Sequence, residues 1–223
     1  WSYKIIWSII MALTKFNYNS FDVTPVASNA FSFNSTPNGL STVAGGALNL
    51  ITTNTISSGV SSSSFTSSIN STYDTYLFKF INIHPAENNT ELQVNFRDGG
   101  SDFDATKTTS VIDAHHAEND SSSGLDYGSS DDIAQGTGYQ TIGKNISNDN
   151  DGCCSGEMYL FSPSSTSFVK HFISRSNKME TSVTADFLVA GYCNVTAAID
   201  GVDFKMSSGN IDSGVIKMYG ITK

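Results

Sequence analysis

The segment TELQVNF, residues 90–96, alternates strictly between polar and apolar side chains from Glu91 to Phe96. Successive side chains of a β-strand point to opposite faces, so this pattern predicts a half-buried strand. The preceding segment YDTYLFKFINI, residues 73–83, carries apolar side chains at neighbouring positions, which is typical of a strand inside a two-sheet sandwich. Pro85 lies in the turn sequence HPAENN, where it blocks further pairing. The two segments are therefore predicted to pair as an antiparallel hairpin.

Composition favours the same fold class along the whole chain. There are nine leucines against fourteen phenylalanines and nine tyrosines, in a background of Ser, Thr, Asn and Gly. Aromatic and β-branched residues favour strands, whereas leucine and long charged residues favour helices. About eight to ten short strands separated by turn residues are expected, which indicates an all-β sandwich or barrel. Further strands are predicted in TTSVIDAHH, GYQTIGKNI, GEMYLFSP, SFVKHFIS, TADFLVAGY, IDGVDFKM and GVIKMYGI, and the Ser-rich residues 57–72 are counted with them.

Two of these segments make specific predictions about side-chain direction. In SFVKHFIS, Phe168 and Phe172 are expected to share one face of a strand. In the last segment, Ile216 and Met218 are expected to face the core, with Lys217 and Tyr219 on the other side. The preceding Gly209-Asn210 and Ser213-Gly214 supply residues suited to turns.

Three regions are predicted along the chain: a leader (1–13), an N-terminal arm (14–49) and a β-sandwich domain (50–223). The leader is apolar and contains both tryptophans, but it is too short to span a bilayer and has no small-x-small cleavage site. It is either a non-cleaved apolar segment or upstream translated sequence, because Met11 opens an ordinary protein start. Turn signals such as STPNGL favour an extended arm after it.

Charge and cysteine content exclude several classes of function. The net charge is −9, the basic residues are scattered, and nucleic acid is therefore not an expected partner. Cys153, Cys154 and Cys193 are odd in number and two are adjacent, so no disulfide framework is expected and they are interpreted as small buried or half-buried thiols. No paired zinc-ligand spacing is present.

The segment DAHHAEND, residues 113–120, is the strongest candidate for metal or acid-base chemistry. On a strand, His115 and His116 point to opposite faces, whereas Asp113 and His115 share one. A solvated strand end is the favoured interpretation, with His115 kept as a weak ligand-binding candidate.

The segment NDNDG, residues 148–152, resembles the start of a calcium loop through Asp149 and Asp151. The EF-hand pattern fails, because Ser147 and Met158 occupy positions that need an acidic residue. Asp149 and Asp151 therefore stay weak candidates for one structural calcium ion, and no other cofactor is expected.

A long acidic Ser- and Gly-rich loop within residues 97–152 is the first place to look for a recognition surface. A sugar site needs an aromatic platform, and Tyr127 and Tyr139 are the weak candidates in this region. No nucleophile, phosphate-binding or dinucleotide motif is present, so a non-enzymatic protein is predicted.

Three segments together carry a family resemblance: STYDTYLFKFINIHPAENNTELQVNF, SGEMYLFSPSSTSFVKHF and the ending VDFKMSSGNIDSGVIKMYGI. Their order and spacing, and the closing pattern SGxIxxGxIKxYGI, resemble those of a family of tailed-bacteriophage virion structural proteins, in a version typical of marine phages. The resemblance covers residues 50–221, most of the chain.

The resemblance implies a jelly-roll-like antiparallel β-sandwich on the outside of a virus particle, in a tail fibre or as a capsid-decoration protein. Other virion proteins are the implied partners, homotrimers are common in such adhesins, and the ending is expected to be the closing hairpin. The family has no agreed catalytic residues to carry over. The rival hypothesis is a carbohydrate-binding module for cell-surface glycan, and a third is a glycan-cleaving enzyme; membrane insertion is not expected.

Overall fold

The computed structural model describes residues 29–33, 40–44 and 47–222, and within them it contains fourteen β-strands and no helix. The chain divides into two units, Trp1–Gly45 and Gly46–Lys223. The strands are β1 (Asn29–Phe33), β2 (Leu40–Ala44), β3 (Leu48–Ile56), β4 (Ser62–Phe65), β5 (Thr75–Pro85), β6 (Thr90–Arg97), β7 (Lys107–Ala117), β8 (Ser123–Tyr127), β9 (Gln140–Ile146), β10 (Cys154–Phe161), β11 (Lys170–Glu180), β12 (Val183–Cys193), β13 (Gly201–Met206) and β14 (Ile211–Ile221).

In the first unit, β1 and β2 pair as an antiparallel hairpin. The predicted leader, residues 1–13, and most of the predicted arm lie outside the described residues. The second unit begins its regular structure with β3 at Leu48, two residues before the predicted boundary of the sandwich domain.

The second unit is an antiparallel β-sandwich, which confirms the predicted fold class. One sheet has eight strands in the order β3-β14-β5-β10-β11-β12-β7-β8, and the other has four in the order β4-β13-β6-β9. The strands β3-β14-β5-β10 and β4-β13-β6-β9 form the two four-stranded layers of a jelly roll, in which the chain crosses from one sheet to the other at β3-β4, β4-β5 and β5-β6. The remaining strands, β11, β12, β7 and β8, widen the larger sheet.

The predicted hairpin between the segments now assigned to β5 and β6 is wrong. β5 pairs with β10 and β14, whereas β6 pairs with β13 and β9 in the opposite sheet. The predicted closing hairpin of β13 and β14 is wrong for the same reason. Alternation along a strand fixes which side chains are buried, but the backbone hydrogen bonds that decide its neighbour carry no side-chain signal.

Two strands of the sandwich, β3 and β8, are not predicted from the sequence. The predicted placement of Phe168 and Phe172 on one strand face is wrong. Phe168 precedes β11 and is 77% exposed, so it does not share a strand face with Phe172. The buried face of β11 is largely polar, with Lys170, Ser174, Ser176 and Lys178 on either side of Phe172. Apolar periodicity could not identify this face.

The core between the sheets is built on phenylalanine. Phe78 of β5 contacts Phe65 of β4 at a ring-centroid distance of 5.4 Å and Phe204 of β13 at 5.6 Å. Phe96 of β6 and Phe172 of β11 lie 4.8 Å apart, which ties the added strands to the smaller sheet. Each of these side chains is nearly fully buried, a contribution on the order of 2–3 kcal/mol apiece.

Strand β14 has the predicted directions. Ile216 and Met218 are fully buried, and Lys217 and Tyr219 lie on the outer face of the sheet. Gly220 is required here, because a Cβ atom at this position would lie 2.3 Å from the ring of Tyr73. The Tyr-Gly pair in the closing sequence therefore has a packing cause.

We expect Gly220→Ala to lower the free energy of unfolding by about 1–3 kcal/mol, because the added methyl group displaces the Tyr73 ring. Gly138→Ala is the matched control, since a Cβ atom there meets nothing within 4 Å. Urea unfolding of both variants measures the difference. Equal stability of the two variants would contradict this packing.

Candidate functional site

The two calcium candidates lie in the loop between β9 and β10. Asp149 and Asp151 are both exposed, and the backbone carbonyl of Asp149 accepts a hydrogen bond from the amide of Gly152 at 2.7 Å. Among the described residues, no group of three or more His, Cys, Asp or Glu side chains is arranged to hold a metal ion. The loop therefore offers two carboxylates without a third acidic or imidazole ligand beside them.

The histidine segment lies at the end of β7. Asp113 and His115 share the face that also buries Val111, as expected from alternation, and His116 points the other way to meet Asp120 with Nε2 3.1 Å from Oδ1. Asp113 Oδ1 is buried without a hydrogen-bond partner. Burial raises the pKa of the Asp113 carboxyl group, and the charge of a nearby lysine opposes that shift.

The two predicted tyrosine candidates have different environments. The hydroxyl of Tyr139 donates to Asp203 at 2.8 Å, and Lys205 Nζ lies 4.2 Å from the centroid of its ring. Burial, followed by the bond to Asp203, raises the pKa of Tyr139. The ring is thus engaged within the protein. Tyr127 is 57% exposed at the end of β8, and its hydroxyl donates to Asp132 at 2.8 Å.

A more extensive aromatic surface lies on the outer face of the eight-stranded sheet. We call it the aromatic band, and it consists of Tyr159, Phe161, His171, Tyr192 and Tyr219. The rings of Tyr159 and Phe161 lie nearly parallel, 10° apart, with centroids separated by 6.1 Å. His171 and Tyr192 meet edge to face at 6.0 Å. All five side chains are half-buried or exposed.

Strand register aligns part of this band in one row across the sheet. Tyr219 of β14 is opposite Leu77 of β5, which is opposite Tyr159 of β10. The row continues through Ile173 of β11 to Ala190 of β12. Ile173 is 43% exposed, so the row carries aliphatic surface between its aromatic rings.

Two pairs of oppositely charged side chains flank the band along the same strands. Arg175 binds Asp186 through two nitrogens, with Nη2 at 2.7 Å and Nε at 2.9 Å. Lys79 Nζ lies 3.6 Å from Glu157 Oε2. Lys217 of β14 lies opposite Lys79 on the same face and makes no ion pair with a described residue.

Two shallow depressions occupy this outer face. One, of about 470 Å³, is lined by His171, Ile173, Tyr192 and Ser110. The other, of about 610 Å³, lies beside the paired charges and includes Asn177 in its lining. Apolar rings with a few polar groups around them are the usual surface of a binding site.

The aromatic band lies outside the long loop where a recognition surface is predicted, but the sequence contains a signal for it. In GEMYLFSP the two aromatic residues alternate with Met158 and Leu160, which are buried. Tyr159 and Phe161 must then face away from the core. Aromatic residues gathered on the solvent side of a strand form an exposed apolar patch, and this pattern could have marked the surface.

The interior of the added strands contains an unusual polar row. Lys170, Cys193 and Lys107 are adjacent in register on β11, β12 and β7, and all three are fully buried. Lys107 Nζ donates to the carbonyl of Gly138 at 2.7 Å, and Lys170 Nζ to that of Val195 at 2.5 Å. These bonds tie the loop carbonyls to the sheet and offset part of the cost of burying the lysines.

Burial also sets the protonation of this row. It lowers the pKa of Lys107 to about 8 and that of Lys170, and it raises the pKa of the Cys193 thiol to about 12. The predicted state of the cysteines is confirmed: all three are free, with Cys153 half-buried and Cys154 buried like Cys193.

No family model, no curated protein and no solved structure matches this chain. Within the described residues, no helix has the length and apolar character needed to cross a membrane.

We expect Lys107 to make stability rise with pH. Burial lowers its pKa from 10.5 to about 8, so between these values the unfolded chain binds a proton that the folded chain does not. Below that window both states bind the proton, and the contribution is constant. The free energy of unfolding, taken as this protein minus Lys107→Met, should therefore rise by up to about 3 kcal/mol across the window.

Urea unfolding of both proteins at a series of pH values measures this difference. Other titrating groups are common to the two proteins, so the subtraction isolates Lys107 to first order. A difference that stays flat, or falls, as the pH rises from neutral to about 10 would contradict burial of this amine.

Proposed function

We propose that this protein is a non-enzymatic structural component of a bacteriophage particle, of the tail-fibre or capsid-decoration type. It displays its jelly-roll sandwich outward, for assembly with other virion proteins or for adhesion to the host surface. Two observations support this proposal. One is the sequence resemblance across residues 50–221, and the other is an outer surface suited to binding.

The observation that carries the binding part of the proposal is the aromatic band. It lies on the broad outer face of a sheet widened by four strands beyond the jelly roll. Contiguous apolar surface of this kind usually marks a site of interaction on a folded protein. A particle component needs such a surface, either against a neighbouring subunit in a homo-oligomer such as a trimer or against the host.

The distribution of titratable groups supports binding over catalysis. The lysines and cysteines with the most perturbed pKa values, among them Lys107, Cys154 and Cys193, are buried inside the sandwich. A catalytic group has to reach its substrate, so these shifts reflect packing. The depressions on the outer face, by contrast, are lined by aromatic and aliphatic side chains and paired charges.

The second candidate function is a carbohydrate-binding module, and one observation favours it. Tyr159, Tyr192 and Tyr219 present aromatic rings on one open sheet face. Tryptophan is not needed for such a platform if several tyrosines share it. This function is compatible with a component of the phage particle, because a phage can adhere to its host by binding glycans on the host surface.

We expect this protein in mass spectra of gradient-purified particles of the phage that encodes it. Its ratio to the major capsid protein should stay constant through successive purification steps, because an integral component cannot be washed away. A host protein followed in the same fractions is the control and should decline. Absence of this protein from the particles, or its loss in parallel with the host protein, would contradict the proposal.

A further inference from the structure

The aromatic band is an open platform, and its tyrosines recur at regular intervals across the sheet. Tyr219 and Tyr159 lie on β14 and β10, which are separated by one strand, and Tyr192 lies on β12, two strands beyond β10. Neighbouring strands are about 4.8 Å apart, so successive tyrosines are displaced by roughly 10 Å across the sheet. We propose that the aromatic band binds an extended, neutral polysaccharide that crosses the strands and places sugar rings against these tyrosines.

The tyrosine hydroxyls are available to a ligand. Within the described part of the chain, those of Tyr159, Tyr192 and Tyr219 make no hydrogen bond. The hydroxyl of Tyr139, in contrast, is committed to Asp203. A tyrosine with an accessible ring and an unbonded hydroxyl offers both apolar contact and a donor, which suits the amphipathic surface of a sugar.

The spaces between the rings are suited to the same kind of ligand. Ile173 supplies exposed aliphatic surface between Tyr159 and Tyr192. Ser110, whose hydroxyl donates to the Ala190 carbonyl at 3.4 Å, lines the same depression as His171. The depression is shallow and open along the sheet. A chain of sugars can pass through it, whereas a compact small molecule would leave most of its surface in water.

Charge favours a neutral occupant. Arg175 and Asp186 bind each other, as do Lys79 and Glu157, so neither pair leaves a cation free for an acidic sugar or a phosphate. Lys217 adds one unpaired positive charge near Tyr219. The net charge of −9 further disfavours any polyanion.

This inference rests on the proposed adhesive function for its biological setting, but its test uses the purified full chain alone. Failure to bind glycan therefore leaves the particle experiment untouched, and absence from particles leaves this binding site standing. The two proposals can fail separately.

The test is affinity electrophoresis in native gels that contain a soluble polysaccharide. Neutral hydroxyethyl cellulose, galactomannan and laminarin are the probes, and alginate is the anionic comparison. We expect at least one neutral polymer to retard the protein and alginate not to. Tyr159→Ala and Tyr192→Ala should each weaken that binding at least tenfold, since each removes a ring from the platform.

Phe168→Ala is the matched control, because Phe168 is an aromatic residue that is 77% exposed in the segment before β11 and belongs to no strand of the sheet. It should bind like the unmodified protein, and circular dichroism should give all three variants the same strand content. If one band variant fails to fold, the other keeps the test valid, since the two residues lie on different strands.

Three results would overturn the inference. One is the lack of retardation by every neutral polymer, and another is retardation that both band variants leave unchanged. The third is self-association in sedimentation velocity that Tyr159→Ala abolishes, which would assign the band to a second copy of this chain.

Discussion

Strand β14 is hydrogen-bonded along both edges, to β3 and to β5, and both of its faces are in use. Its inner face buries Ile216 and Met218 in the core, and its outer face contributes Tyr219 to the aromatic band. Because β14 follows the other described strands in sequence but lies inside the sheet, the larger sheet is complete only after β14 has been placed. The fold and the candidate binding surface thus depend on the same eleven residues.

The added strands have a different stabilisation from the jelly roll itself. The jelly-roll layers are joined by phenylalanine contacts such as Phe65 with Phe78. On β11, β12 and β7, the row of Lys170, Cys193 and Lys107 replaces apolar packing, and its amines bind loop carbonyls. Buried amines are costly, so this region depends on complete hydrogen bonding. In return, the added strands carry His171 and Tyr192 and double the number of strands available to the binding face.

Much of the fold could be predicted from the sequence, and the failures share one cause. Alternation identified the strands β6, β10 and β14, and in β14 it also identified the buried residues, because burial leaves a period of two in the side chains. It could not identify partners, so β5 and β6 were paired wrongly. It also failed on β11, where serines and lysines take the buried positions around Phe172 and nothing apolar marks the face.

The candidate site was less predictable for a related reason. Tyr127 and Tyr139 are the tyrosines that the long polar region offers as candidates, but a ring is available to a ligand only where neighbouring side chains leave it uncovered. Lys205 covers the ring of Tyr139 from a strand 66 positions later in the chain. Tyr159 and Tyr219 lie 60 positions apart, and only the strand order brings them into one row. Local sequence contains neither fact.

Hydrogen exchange of the backbone amides tests the central claim, the interior position of β14, most directly. An interior strand bonded on both edges opens only when the whole sheet opens. We expect the amides of Ile216 and Met218 to exchange as slowly as those of Phe78 and Phe80 on β5, and far more slowly than those of the edge strand β8. Exchange of the β14 amides as fast as that of Leu125 and Tyr127 would contradict the account.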